Sequence, residues 1–393
     1  YLGFPSGTLN TPSYAEQIVS KPGVSDNHTR LFGSFATLNY TYNNVYLLDA
    51  SFRLDGSSEF GTDKKYAPFY SIGVGMNIHN YEFMKTQEIV SQLRLTATHG
   101  QLGKTNFPPY AAKHTYGVSD NYYITGNGIY LYYMGNDKLK WEKTISNEVK
   151  LDLGFMQDAI LLKAAWYDKK TVDLITDVTL PASTGFTVYK DNLGEVRNRG
   201  FELDVKAVLY KSNDMYVSVF GNLAHNRNKI LKISESLKAY NDRVDEKYEG
   251  YNESVFSQQD PQYSKPFMKY VEGGSLTSIF GMKSFGINPS DGQELYLKRD
   301  GTVTSEWESR EQVILGDMEA DAQGAFGLNV QYKSFALFTS FLYEFGGQAY
   351  NSTLVEKVEN VDVYNMNADK RVLTERWQKP GDVTRLKAIQ DRS

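Results

Sequence analysis

Residues 145–155 read Ile145-Ser146-Asn147-Glu148-Val149-Lys150-Leu151-Asp152-Leu153-Gly154-Phe155. Ile145, Val149, Leu151, Leu153 and Phe155 share one parity, and Ser146, Glu148, Lys150 and Asp152 share the other. Side chains of a strand alternate between faces, so this stretch builds a strand with one apolar face and one charged face. A turn at Gln157-Asp158 follows, and Ile160, Leu162, Ala164 and Trp166 resume the apolar parity. Two amphipathic strands joined by a very short turn are the repeating unit of an antiparallel sheet.

The unit recurs along the chain. Phe32, Ala36, Leu38, Tyr40 and Tyr42 run to a turn at Asn43-Asn44, and Tyr46, Leu48, Ala50, Phe52 and Leu54 return, giving a first hairpin over 29–54. Asn tolerates the positive φ that tight hairpins need. Tyr70, Ile72, Val74, Met76 and Ile78 form the next face, then Leu93, Leu95 and Ala97. Phe201, Leu203, Val205, Ala207 and Leu209 oppose Glu202, Asp204 and Lys206, and Val217, Val219 and Leu223 follow after 211–214. Phe326, Leu328, Val330 and Tyr332 pair across Lys333-Ser334 with Phe335, Leu337, Phe341 and Tyr343. The stretch 266–325 is less regular: strands are expected at Ser275–Asn288 and Glu294–Lys298, adding either none or one hairpin to the wall.

Alternation alone fits a transmembrane barrel or a soluble sandwich. The connections separate the two. Those at 43–44, 157–158, 211–214 and 333–334 are short, and 79–90 is intermediate with a helical turn expected near 83–87. Those at 55–68, 101–140, 170–195 and 229–265 are long. Short and long ends alternate, as the short periplasmic turns and long extracellular loops of outer-membrane barrels do. The expectation is an all-β, antiparallel transmembrane barrel wall of about ten to twelve strands in a single domain over 1–393.

Composition agrees. The 393 residues include 29 Tyr and 21 Phe, suited to a water–lipid boundary where a ring lies in hydrocarbon and a polar tip in water. Cysteine is absent, which removes disulfides, thiol nucleophiles and thiolate metal sites. A mean hydropathy of -0.47 without a long apolar run excludes transmembrane helices but not barrel strands. The net charge of -5 argues against nucleic acid as the main ligand. The first residue is Tyr1 with no signal peptide, so a mature or internal piece is expected.

Three motifs resemble the SusC/RagA branch of TonB-dependent outer-membrane transporters of Bacteroidetes. Arg53-Leu54-Asp55-Gly56-Ser57-Ser58-Glu59-Phe60-Gly61 is similar to that family's R-x-DGSS-x-FG at an outer strand end. Leu180–Phe186 (LPASTGF, containing Gly185) followed by Asn192-Leu193-Gly194-Glu195-Val196-Arg197-Asn198-Arg199-Gly200-Phe201-Glu202 is the second. Arg376-Trp377-Gln378-Lys379-Pro380-Gly381-Asp382-Val383-Thr384 is the third. The resemblance implies part of a barrel of about 22 strands, with the N-terminal extension, TonB box, plug, first strands and last strands lying outside this chain. It marks Arg53, Asp55, Gly56, Ser57, Ser58, Phe60, Gly61, Gly185, Asn198, Gly200 and Glu202 as motif positions. It further implies import of oligosaccharides or oligopeptides with a SusD-like surface lipoprotein and the TonB complex, and no enzymatic step. One departure is 315–322, where the family's proline-containing stretch reads Leu315-Gly316-Asp317-Met318-Glu319-Ala320-Asp321-Ala322. The alternatives are a passive porin without TonB coupling and a soluble, Tyr-rich glycan-binding protein.

Candidate ligand contacts are the outer-loop tyrosines Tyr110, Tyr116, Tyr122, Tyr123, Tyr130, Tyr132 and Tyr133, whose rings could stack on sugars or peptide side chains; loop packing or anchoring at the membrane boundary explains any one of them as well. The five histidines lack metal-ligand spacing, and no hydrolase or phosphate-loop motif occurs. No cofactor is expected. Asp291-Gly292 and Asp300-Gly301 offer oxygen ligands, but the spacing of a calcium loop is absent and turns are the favoured reading. Arg197 and Arg199 share parity with Phe201 nearer the outer end, where they could meet lipid-A phosphates or simply line a solvated rim.

Overall fold

The computed structural model describes residues 28–61, 64–104, 109–123, 126–179, 186, 188–192, 194–247, 269–359, 361 and 367–388. Its centre is a ten-stranded sheet in which every neighbouring pair is antiparallel. We number the wall strands β1 (Leu31–Tyr42), β2 (Tyr46–Ser57), β3 (Tyr66–Asn77), β4 (Val90–Lys104), β5 (Glu142–Phe155), β6 (Ile160–Val172), β7 (Gly194–Lys211), β8 (Met215–Ile233), β9 (Ala322–Tyr332) and β10 (Phe335–Phe345). Spatial order equals chain order, so the sheet is a plain up-and-down meander. Among the described residues the free edges of β1 and β10 pair with no strand.

Turn chemistry sets the short end. Asn43 and Asn44 take φ of 52° and 55°, and Lys333 takes 50°, the left-handed conformation that tight hairpins demand. Between β5 and β6 the turn uses Met156, Gln157 and Asp158, all with positive φ. The intermediate 78–89 connection forms a 3-10 turn at Ile78–Asn80 and a short helix at Glu82–Lys85. The side-chain amides of Asn77 and Asn80 both donate to Asn44 O, tying it to the first short turn.

The register carries the expected faces across the sheet. Leu48, Val74, Ala97, Val149, Trp166, Phe201 and His225 pair successively in one row, with Leu95, Leu151, Ala164, Leu203 and Leu223 in the row nearer the short end. Because strand side chains repeat every two residues, one row fixes the face of all the others. Aromatics gather at the short end, where Tyr42 stacks with Tyr46, and Tyr46 meets Tyr81 edge-on with their hydroxyls 2.8 Å apart. The opposite parity carries Asp49, Arg53, Glu148, Lys150, Asp152, Glu202, Asp204 and Lys206.

Two expectations change. The wall strands run further at the long end than alternation suggested: β4 reaches Lys104, β6 reaches Val172, β7 begins at Gly194 and β8 reaches Ile233. Beyond the apolar zone the ladder persists, but the outward parity turns polar at Arg197 and Lys229 while Val196 and Ile230, of the other parity, are buried with Ile233, so the alternation breaks and the sequence there reads as loop. The long connections also fold. Thr115–Tyr123 pairs with Gly126–Tyr133, Ile175–Thr179 pairs with Val188–Asn192, and a helix spans Glu235–Lys247. The stretch 269–321 takes one of the two alternatives expected of it and adds no wall hairpin. Its strands Ser278–Gly281, Lys283–Ile287, Glu294–Leu297, Val303–Thr304 and Val313–Asp317 form small separate sheets, and β8 pairs directly with β9.

Candidate functional site

The outer loops are locked to one another by the motif residues. Arg53 Nε donates to Asp55 Oδ1. Gly56 faces the Tyr66 ring, where a Cβ would come within 2.5 Å. Ser57 is buried, its N–H donates to Lys65 O, and its hydroxyl accepts from Glu59 N. Ser58 bonds Arg30 twice, through its backbone N–H to Arg30 O and through its hydroxyl from Arg30 N. Phe60 is fully buried with Ala67, Phe69, Ala112, Leu139, Trp141 and Ile175. A Cβ at Gly61 would lie 1.8 Å from Asp137 O. Nearby, Asn192 accepts from Lys140 N and donates to Lys140 O and Asp173 O. Glu142, also buried, accepts from Ile175 N. These contacts join Arg30, 53–69, Ala112, 137–142, 173–175 and Asn192 into one outer scaffold.

The tyrosines are distributed over this scaffold. Tyr110 accepts from His28 N through its hydroxyl. Tyr116, Tyr130 and Tyr132 are exposed on the Thr115–Tyr133 hairpin, with Tyr130 and Tyr132 edge to face at 6.4 Å and Tyr130 lying over Gly117. Tyr133 is half-buried. Tyr122 and Tyr123 belong to the hairpin backbone, and their side chains lie outside the described residues, as does Gly185.

The luminal face holds a pocket of about 300 Å³ lined by Tyr167, Glu202, Asn226, Glu319, Gln323 and Glu344 with Ala224, Met318 and Ala320. Wall strands supply most of it: Glu202 from β7, Asn226 from β8, Gln323 from β9 and Glu344 from β10. Gly200 lets the Tyr167 ring approach, since a Cβ there would sit 2.5 Å from its hydroxyl. That hydroxyl donates to Asn226 Oδ1. Asn198 Oδ1 accepts from the side-chain amides of Asn226 and Asn228, and Glu319 accepts from the Asn226 amide and from Asn228 N. Asp317 holds the loop that delivers Glu319. Burial would raise its carboxyl, but the Ser275 and Thr277 hydroxyls and the N–H groups of Glu319 and Met318 outweigh that and keep it below the usual carboxylate range. Carboxylates, amides and a phenol in an open hollow can accept and donate hydrogen bonds to hydroxyls, amides or amines.

Around this hollow Glu202, Asn198 and Gly200 coincide with motif positions, whereas Tyr167, Asn226, Glu319, Gln323 and Glu344 were not singled out by the sequence. Parity along β8 and β10 could have placed Asn226 and Glu344. Nothing local marks Glu319, which a loop delivers.

The histidines are dispersed in structural bonds. His79 Nδ1 lies 3.1 Å from Leu93 O, His99 Nδ1 2.8 Å from Asn147 Oδ1, His225 Nδ1 2.5 Å from Asp321 O, and His114 accepts from Gly135 N. Asp291 and Asp300 cap turns, accepting from Gln293 N and from Thr302 N and Oγ1. The Thr302 bonds lower the Asp300 carboxyl. Among the described residues no cluster of His, Asp and Glu converges as a metal site.

An antiparallel meander with one apolar face, an opposite face of ionisable groups, and connections divided into a short and a long end defines an outer-membrane β-barrel wall. The chain belongs to the TonB dependent receptor-like β-barrel family, whose model matches residues 3–252. It is 26% identical over 367 residues to TonB-dependent receptor P3 of Formosa agariphila, covering 91% of this chain and 36% of that protein. It is 27% identical over 351 residues to TonB-dependent receptor SusC of Bacteroides thetaiotaomicron, covering 84% of this chain and 34% of that protein. The chain thus spans about a third of the length of these curated relatives. The solved structure of the RagAB peptide transporter superposes with a TM-score of 0.78 at 23% identity, covering 98% of this chain and 41% of that one, a likeness of fold.

Proposed function

We propose that this chain is the wall, lumen lining and outer-loop scaffold of a SusC-like importer. In this reading a SusD-like surface lipoprotein delivers an oligosaccharide or oligopeptide from outside, and TonB-derived energy opens the path through parts of the receptor outside this chain. No bond is made or broken. The observation that carries the reading is the polar, pocketed luminal face opposite an apolar outer face, in a member of the receptor-barrel family. Exposed Tyr116, Tyr130 and Tyr132 suit ring stacking at the outer entrance, and Glu202, Asn226 and Gln323 suit hydroxyl or amide hydrogen bonds further in.

Deletion of the gene, followed by growth on defined glycans and defined peptides as sole nutrient, tests the reading. Loss of growth on one class, reproduced by dissipating the proton-motive force, is the expected result. Uptake that survives the loss of that force would favour a passive pore.

A further inference from the structure

The outward face of β5 to β8 has a feature that import does not use. Above the Val149–Trp166–Phe201 row, the next pairs outward are Asn147–Asp168 and Asp168–Arg199, with Arg199 opposite Arg227. The row beyond brings Lys170 opposite Arg197 and Arg197 opposite Lys229. Each row lies about 7 Å further along the strands. These cations therefore stand where the apolar zone gives way to lipid headgroups, on the face that carries Trp166 and Phe201.

Their pairing leaves positive charge over. Asp168 is buried beneath two guanidiniums. Arg197 reaches both of its oxygens, through Nε at 2.7 Å and through Nη2, and Arg199 Nε donates at 3.0 Å. Lys170 is neutralised by Glu195 at 2.7 Å. Arg227 and Lys229 are exposed and make no ion pair or side-chain hydrogen bond among the described residues. Arg227, Lys229 and one of the two arginines on Asp168 are thus uncompensated.

Directly beneath lies a shallow, largely apolar hollow of about 290 Å³, lined by Val149, Leu151, Ala164, Trp166, Phe201 and Leu203, with Ala165 and Glu202 between them along β6 and β7. It exists because Ala164 is the small residue between Leu151 and Leu203 in their row. A row of guanidiniums over an apolar groove matches a phosphorylated head over an acyl chain. Arg supplies planar, paired donors to phosphate, and the groove takes hydrocarbon.

We propose that this surface binds the phosphorylated glycolipid of the outer leaflet, with its phosphate on Arg199, Arg227 and Lys229 and one acyl chain along Ala164. The site is separate from the luminal pathway, so it could stand or fall independently of the import reading.

The test uses the full-length receptor, purified in detergent and stripped of lipid, with retention read by native mass spectrometry. Probes are phosphorylated lipid A, the same lipid A with its phosphate removed, and inorganic phosphate. Variants are Arg199→Gln/Arg227→Gln and, separately, Ala164→Phe, which fills the hollow and leaves the charges in place. Heat-modifiable mobility on gels reports folding of each. The wild type should hold phosphorylated lipid A, and the double variant should hold it about tenfold or more weaker, since each lost contact is a charge-assisted hydrogen bond. Removing the phosphate should weaken wild-type binding to a similar degree, and Ala164→Phe should weaken it without changing the response to phosphate. Equal retention by wild type and both variants overturns the proposal. So does equal retention of the two lipids. Displacement of lipid A by an equal concentration of inorganic phosphate would mean a simple anion site and overturns it. A double variant that changes from dimer to monomer with lipid retention unchanged would mean that a second copy covers this face, and overturns it too.

Discussion

Phe60 lies nearly parallel to Trp141, with ring centroids 4.4 Å apart and planes 25° from parallel, and Phe69 meets the same indole edge-on at 5.6 Å. Phe60 belongs to the β2–β3 connection, and Trp141 immediately precedes β5, so the stack fastens two outer loops that span an intervening pair of strands. Truncation to Phe60→Ala should cost about 3–5 kcal/mol of local stability, as for other buried aromatics. The loss should fall on the loops, because the sheet ladders do not use this ring. Red-shifted Trp141 emission and faster hydrogen exchange over 134–141, with normal heat-modifiable mobility of the full receptor, would be the signature. Unchanged exchange there would show that the loops are held some other way.

Asn192 is the second fastener. Its amide oxygen accepts from Lys140 N at 2.9 Å, and its nitrogen donates to Lys140 O at 3.1 Å and Asp173 O at 2.7 Å. Asn192→Ala orphans three backbone groups, and partial access to water limits the expected cost to about 1–3 kcal/mol. Asn192→Asp keeps the acceptor but sets a carboxylate oxygen against the Lys140 and Asp173 carbonyls, acceptor on acceptor, so it should cost at least as much as the alanine variant. Exchange at Lys140 and across 173–175 is the readout, and an Asp variant as protected as the wild type would contradict this ranking.

Much of this fold was legible because the period of two is a local property. The opposite parities of Val149 and Glu148 fixed which face each would occupy, and pairing then carried that assignment to Trp166 and Phe201. Asn43-Asn44 and Lys333-Ser334 announced their turns through residue type and brevity. The outer strand ends were not legible, because Lys170 to Val172 and Lys229 to Ile233 stay in the ladder after the apolar parity changes sides, with Lys229 exposed and Ile230 buried against Val196. The site was legible only where a motif or a parity covered it. Glu319 reaches the pocket through the Asn226 and Asn228 bonds, which join residues 93 and 91 positions apart, and no local pattern encodes such a contact.

The loop that carries Glu319 should respond to acid through Asp317. Its folded carboxyl titrates below the ordinary value, held there by the Ser275 and Thr277 hydroxyls and two N–H groups against the opposing effect of burial. A depressed folded pKa means that the stabilisation is present above the unfolded value of about 3.9 and is lost as pH falls through the folded value. The 275–278 and 317–319 stretches should therefore loosen together below about pH 4. Hydrogen exchange corrected for its intrinsic pH dependence measures this. Asp317→Asn should be looser at neutral pH and lose the acid response. An acid response that persists in that variant would assign it to another group.

Neighbouring residues on β5 test the membrane reading itself. Leu151 points outward in the row between Leu95 and Ala164, whereas Lys150 points into the lumen and pairs with Glu148 at 2.7 Å. A charge on the lipid face must leave water for hydrocarbon, which costs about 2–4 kcal/mol near the bilayer midplane. Leu151→Arg should therefore reduce the fraction of receptor recovered folded in the outer membrane and lower its urea stability in bilayers by that amount. Lys150→Ala removes only a solvated ion pair, worth about 0–1 kcal/mol, and should assemble normally. The contrast depends on lipid: in a soluble sheet with Leu151 packed on a protein core, detergent would not be needed to keep the wild type in solution. Equal tolerance of the two substitutions would remove the distinction between the faces on which the wall assignment rests.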